Sequence, residues 1–293
     1  MLILLFLHIN ECVTARTSSK TQAMVSKYGL YAYGLVGKDP KPLNILGIDK
    51  KNRVRPVEGG DLCVMISEVD VDQFQDQVKK LFSELTKTPE AAQSGTQEVL
   101  QAHEHIVDAL MKDTTVVPFK FGTILKDEQA ALKMLQDYEE KFKNLLSKFA
   151  GRTEWGMKVY ADYQEFTNYI VQIEPEFKNL EEKREKLPRG AAYLLGRKIE
   201  EDLKDKAAIR LAEVTDVIFH KLGEDAYEGK LNKNLPQKLT GNRKEMVLNT
   251  VYLVEKEKVA HFCNQGKILM ERYGGMGLDF EVSGPWPPYS FTY

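Results

Sequence analysis

Nine consecutive uncharged residues rich in Tyr, Leu and Val, YGLYAYGLV at 28–36, read as a buried strand. DLCVMISEV, after the turn at Gly59 and Gly60, reads as its partner, and NILGIDKKNRVRPV between them predicts a weaker edge pair around a polar KKN turn. Asp70 or Asp72 then caps a helix with Val71, Phe74, Val78, Leu81, Phe82 and Leu85 on one face. A second helix runs through QEVLQAHEHIVDALM. TVVPFKFGTIL returns extended, because Pro118 and Gly122 exclude a helix interior. Asp127 opens one long amphipathic helix whose Leu132, Leu135, Phe142, Leu145, Leu146 and Phe149 recur at three- and four-residue spacing, and Gly151 ends it.

A second pattern begins at EWGMKVYA, where Trp155, Met157, Val159 and Ala161 alternate with polar positions. Residues 174–206 carry nine acidic and nine basic side chains, which predicts a solvated helical arm with i,i+4 ion pairs, broken near LPRG. A long helix continues from Gly190 through IRLAEVTDVIFHKL. An extended piece at NLPQKL, a strand through EMVLNTVYLV, a helix through KVAHFCNQGKILMERY and a last strand at LDFEVSG complete the order β, α, β, β, α, β. That is the ferredoxin-like split βαβ with an enlarged first crossover. The expected fold class is α+β, with a leader at 1–26, an N-terminal α+β domain at 27–151, a ferredoxin-like domain at 152–284 and a Pro/aromatic tail at 285–293.

Composition narrows the function. A chain of 293 residues fits two domains, and 43% hydrophobic with 29% charged residues describes a soluble globular protein. A net charge of -2 gives no broad attraction to phosphate, which excludes nucleic acid as the expected partner. Cys12, Cys63 and Cys263 lie far apart without CxxC spacing, which favours a reducing compartment over zinc or disulfides, and Cys63 in a strand and Cys263 on an apolar helix face read as packed thiols. The opening MLILLFL is too short to span a membrane, and no basic residue precedes it as a signal peptide requires. Met24 is the preferred natural start, with a cleaved signal peptide as the alternative.

Candidate chemistry is sparse. His103 and His105 flank Glu104, but residues two apart on a helix point to different faces, so they read as helix-surface and boundary histidines. Asp61, Glu68 and Asp162 lie at strand ends, and their spacing does not make an acid and base pair of any two. Phe119, Phe121 and Trp155 read as core residues. The expectation is no catalytic, cofactor or metal site; the alternative is a dimeric ferredoxin-like barrel that binds a small ligand or acts on it, with His220 or His261 as ligand or base.

The segments YGLYAYGLV, AHEHIVDAL, PFKFGT, EWGMKVY and SGPWPPYSF occur in this order. In that order they resemble the gas vesicle protein F/L family, over residues 27–293, and a compact chain without a long insertion leans towards the F type. The resemblance implies a non-enzymatic accessory protein, cytoplasmic and vesicle-associated, that binds the hydrophobic major coat protein and limits its aggregation during nucleation. Other assembly factors are further implied partners; membranes are not, and either side of the shell stays open. Trp286, Pro287, Pro288, Tyr289 and Phe291 form a stiff aromatic strip, expected either to staple the two domains or to dock a partner.

Overall fold

The computed structural model describes residues 27–85 and 97–293; the leader, with Cys12 and the Met24 start, lies outside the described residues. The chain divides into two compact units, one of the described residues through Glu154 together with Pro285–Tyr293, the other of Trp155–Gly284. Among the described residues, no helix is long and apolar enough to cross a membrane.

The first unit is built on β1 (Tyr28–Gly37), which pairs antiparallel with β3 (Leu62–Asp70). The edge strand β2 (Arg55–Gly59) adds to β3, while β4 (Val116–Pro118) and β5 (Ile124–Leu125) both pair with β1. Covered on both faces, β1 has almost no polar surface, which explains its uncharged text. Its register slips between Ala32 and Gly34, leaving Tyr33 as a bulge residue. The Tyr33 hydroxyl shares a 2.8 Å hydrogen bond with Ser67 Oγ and accepts the Ile48 N–H at 2.7 Å.

Helix α1 (Val71–Leu85) starts where Asp70 Oδ1 accepts the Gln73 N–H, and buries Val71, Phe74, Val78 and Leu81. The side chains of Phe82 and Leu85, expected on the same face, lie outside the described residues. Helix α2 (Gln97–Asp113) turns Leu100, His103, Val107 and Leu110 into the core.

The single helix expected from Asp127 to Gly151 is two: α3 (Glu128–Asp137), capped by Asp127, and α4 (Glu139–Phe149). The break falls at Tyr138, with φ -120° and ψ 19°. Asp137 would oppose the dipole at a helix C-terminus and is held by Lys133, whereas Glu139 and Glu140 favour a new N-terminus.

In the second unit the strands lie in the order β7-β8-β6-β9, where β6 is Arg152–Ala161, β7 Glu228–Leu231, β8 Glu245–Glu255 and β9 Leu278–Trp286. Helices α5 (Tyr163–Ile173), α6 (Pro175–Glu185), α7 (Arg189–Gly223) and α9 (Val259–Gly274) supply the rest of its core. The α6/α7 pair is the charged arm, interrupted at the predicted LPRG.

One strand is misplaced by the sequence reading. NLPQKL forms no strand: extended Pro236 precedes the one-turn helix α8 (Gln237–Thr240), which Gly241 closes at φ 67°. The strand is EGKL instead, where a Cβ on Gly229 would sit 3.1 Å from the Tyr252 ring.

Close packing around Tyr33 yields a test. A Cβ on Gly47 would fall 2.2 Å from Ser67 Oγ and 3.0 Å from the Tyr33 hydroxyl. Gly47→Ala is therefore expected to destabilise the first unit by about 1–3 kcal/mol, measured as a lower urea midpoint.

Candidate functional site

His103 is the centre of the first unit's polar interior, fully buried on α2, which corrects the expectation of a surface or boundary histidine. The reason is helical spacing: position 103 falls on the stripe of Leu100, Val107 and Leu110. Its Nδ1 lies 3.0 Å from the Tyr31 hydroxyl of β1, and its Nε2 lies 3.2 Å from the Tyr289 hydroxyl of the tail. A neutral imidazole donates from one nitrogen and accepts at the other, so two hydroxyls satisfy it completely. The Tyr31 hydroxyl also accepts the Gly122 N–H at 3.0 Å. Tyr31 and Phe121 meet the imidazole edge-on, and Tyr33 stacks on it. Burial pushes its pKa down to about 3, against a smaller opposing effect of the Phe119 backbone.

The tail packs as part of this unit. Pro287, Pro288 and Phe291 are buried, and the short helix α10 (Tyr289–Thr292) is closed by the Thr292 hydroxyl donating to Pro288 O at 2.9 Å. Glu154 of β6 accepts the Ser290 N–H at 2.8 Å and the Ser290 hydroxyl at 2.7 Å. Lys120 N–H donates to the Tyr293 hydroxyl, and its ammonium lies 4.3 Å from the same ring. Trp286 is half-buried, its indole Nε1 without a hydrogen-bond partner among the described residues.

Acidic groups surround Tyr289. Burial pushes its hydroxyl pKa well up, and the charges of Glu104, Asp108 and Glu154 add to that. Glu104 Oε1 and Asp108 Oδ1 are buried without hydrogen-bond partners among the described residues. Burial and then the Asp108 charge raise Glu104 to about 7, and burial likewise raises Asp108, opposed by His105 and Lys112. Among the described residues no three His, Cys, Asp or Glu side chains are placed to hold one metal ion. What this arrangement does chemically is hold a neutral, hydrogen-bonded connection between strand, helix and tail.

The other sequence candidates are dispersed. Phe119 and Phe121 are buried in the first unit, and Trp155 packs half-buried on the second core, 6.3 Å from the Phe262 ring. Asp162 caps α5 by accepting the Gln164 and Glu165 N–H groups; Asp61 pairs with Lys143, and Glu68 is exposed. Cys63 is buried and Cys263 half-buried, both thiols raised chiefly by burial. His105 is exposed, His220 faces Asp216 at 3.3 Å, and His261 faces Asp225 at 2.8 Å. An open recess of about 500 Å³ in the second unit is bordered by Tyr160, Lys244, Asp279 and Glu281; Lys244 there already pairs with Asp279 and Glu165. Glu154 escaped the sequence reading because strand alternation assigns it to the polar face, yet it is only 4% exposed.

The profile of the family described as Gas vesicle synthesis protein GvpL/GvpF matches residues 29–293. Gas vesicle protein L of a Streptomyces strain is 26% identical over 239 residues, 81% of this chain and 82% of its own. Gas vesicle protein F1 of Halobacterium salinarum is 22% identical over 90% of this chain and 92% of its own. The relatives thus carry both names, and the lean towards the F type gains nothing from them. The crystal structure of gas vesicle protein GvpF from Anabaena superposes with a TM-score of 0.63 at 21% identity, over 90% of this chain and 98% of that one. At that identity the likeness is one of fold, a mixed α+β chain with two antiparallel sheets.

Two outcomes follow from the geometry. Tyr289→Phe leaves His103 Nε2 buried without its partner and is expected to lower stability by about 1–3 kcal/mol in denaturant titrations. Glu104 and His103 also impose opposite pH dependences. The folded chain binds the extra Glu104 proton between pH 4.5 and about 7, so that contribution is full at low pH and is lost as pH rises through 7. The folded chain excludes the His103 proton between about 3 and 6.5, so its contribution is full above 6.5 and is lost as pH falls. Glu104→Gln is therefore expected to match wild type near pH 4.5 and exceed it at pH 8, by about 1 kcal/mol after solvent screening. Urea midpoints across that range measure it.

Proposed function

The chain belongs to the GvpL/GvpF family of gas vesicle synthesis proteins, and from that premise we propose that it is an accessory factor of vesicle assembly that binds the hydrophobic major coat protein and limits its aggregation. The profile match over residues 29–293 is the observation that carries this reading. A subunit that will line a gas space exposes apolar surface before assembly, and burial of that surface is worth about 25 cal/mol per Å². Free subunits self-associate unless another surface covers them. The charged α6/α7 arm keeps such a complex dispersed, and the work is done by contact, in the cytoplasm and on the vesicle, with other assembly factors as further partners.

The order β7-β8-β6-β9 supports reading the second unit as the ferredoxin-like plan with the arm inserted in its first crossover. The division at Glu154 and Pro285 supports domains close to 27–151 and 152–284. For Trp286, Pro287, Pro288, Tyr289 and Phe291 the proposed role is a clamp on the first unit, because burial of both prolines and Phe291 leaves little of the strip for a partner.

Co-expression with a gas vesicle coat protein tests the function. The soluble coat fraction is expected to rise several-fold and the two proteins to purify together; unchanged solubility without co-purification would overturn the reading.

A further inference from the structure

Sheet edges are places where a foreign strand can add, and natural sheets blunt them with short strands, proline, charge or a covering element. In the first unit, β2 carries Pro56, α3 closes over it with Leu135 against Gly59, and Arg55 pairs with Glu128. On the opposite side β4 ends in Pro118 after three residues and β5 has two. In the second unit β7 has four residues. Among the described residues the remaining edge strand is β9, which runs from Leu278 and meets its first proline only at Pro285. The strand order gives β9 a neighbour on one side, β6.

The two faces of β9 differ. Phe280 packs against the apolar core, and Val282, on the same face by strand alternation, is 40% exposed. Asp279 and Glu281 point to the other face, where Lys244 and Lys158 meet them at 2.9 and 2.7 Å. The cations are the inner partners: the lysine side chains are 21% and 13% exposed, against 58% and 49% for the carboxylates. An incoming strand therefore meets outward carboxylates on one face and an apolar side chain on the other. A second β9 would set like charges opposite one another, which is destabilising.

We propose that the outer edge of β9, residues 279–282, receives an extended segment of the coat protein, with basic residues beside Asp279 and Glu281 and apolar residues beside Phe280 and Val282. This rests on the coat-binding reading above. Main-chain hydrogen bonds hold the segment, and the alternating side chains select it. Addition at this edge also removes an aggregation-prone strand from the pool that would otherwise pair with itself.

Val282→Lys and, as a control on the short edge, Leu231→Lys are compared with the unmodified protein in coat co-purification and in thermal melting. The expected result is an at least tenfold loss of coat for Val282→Lys, with melting and the Leu231→Lys yield unchanged. Hydrogen exchange on the unmodified complex supplies a readout independent of any variant: amides in 279–282 should gain protection. Wild-type retention of coat by Val282→Lys, an equal loss from Leu231→Lys, or no gain in protection overturns the β9 assignment while leaving coat binding intact. Failure of the unmodified protein to retain coat removes both.

Discussion

A histidine at the centre of an apolar unit is tolerable only when it is neutral and both ring nitrogens are bonded, and that constraint organises the first unit. Leaving a buried polar nitrogen unpaired costs about 1–3 kcal/mol, and a buried charge costs more. Tyr31 and Tyr289 remove that loss by meeting Nδ1 and Nε2. One of those tyrosines is near the start of the described chain and the other near its end, so the interior is complete only when the terminal residues have docked. The uncharged character of β1 and the stiffness of the tail serve this one arrangement: the strand can be buried on both faces, and the prolines reduce the entropy lost on docking.

The acidic groups next to this connection work against it. Glu104 and Asp108 are one helical turn apart on α2, half-buried, and both resist ionisation. Around neutral pH the imidazole favours the folded state by staying neutral, while the carboxyls would gain by ionising in water. The network is thus held by burial of its aromatic members more than by charge, and the rings of Tyr31, Tyr33, Phe74 and Phe121 supply that burial.

Strongly periodic text was legible from sequence. The uncharged run of β1, the alternation of β6, the capping residues Asp70 and Asp127 and the LPRG break each have a local cause that sequence displays. What was not legible depends on partners far along the chain. Nothing local distinguishes the buried His103 from the exposed His105 except the phase of the helix, and that phase placed position 103 on the apolar stripe. Glu154 looks like the polar half of an alternating strand because its partner, Ser290, is 136 residues away. EGKL was missed because four residues containing a glycine carry too little β pattern, whereas the proline in NLPQKL drew attention to a segment whose later residues form a short helical turn. Tyr138 breaks a helix whose apolar spacing runs on unbroken, since spacing reports which faces are buried and not whether the backbone between them bends.

The proposed role in handling adhesive subunits would require some surface to stay open to them without offering the same surface to copies of this chain. Charge placement supplies that distinction more cheaply than shape. On β9 the carboxylates of Asp279 and Glu281 reach outward past the lysines that partly neutralise them, so two identical edges repel while an edge of opposite charge does not. The other edges are closed by length, proline or a covering helix, devices that exclude every partner alike. Selectivity can therefore reside in one strand while the other described sheet edges are protected without discrimination. The nine acidic and nine basic residues of 174–206 add a solvated surface separate from the β9 edge.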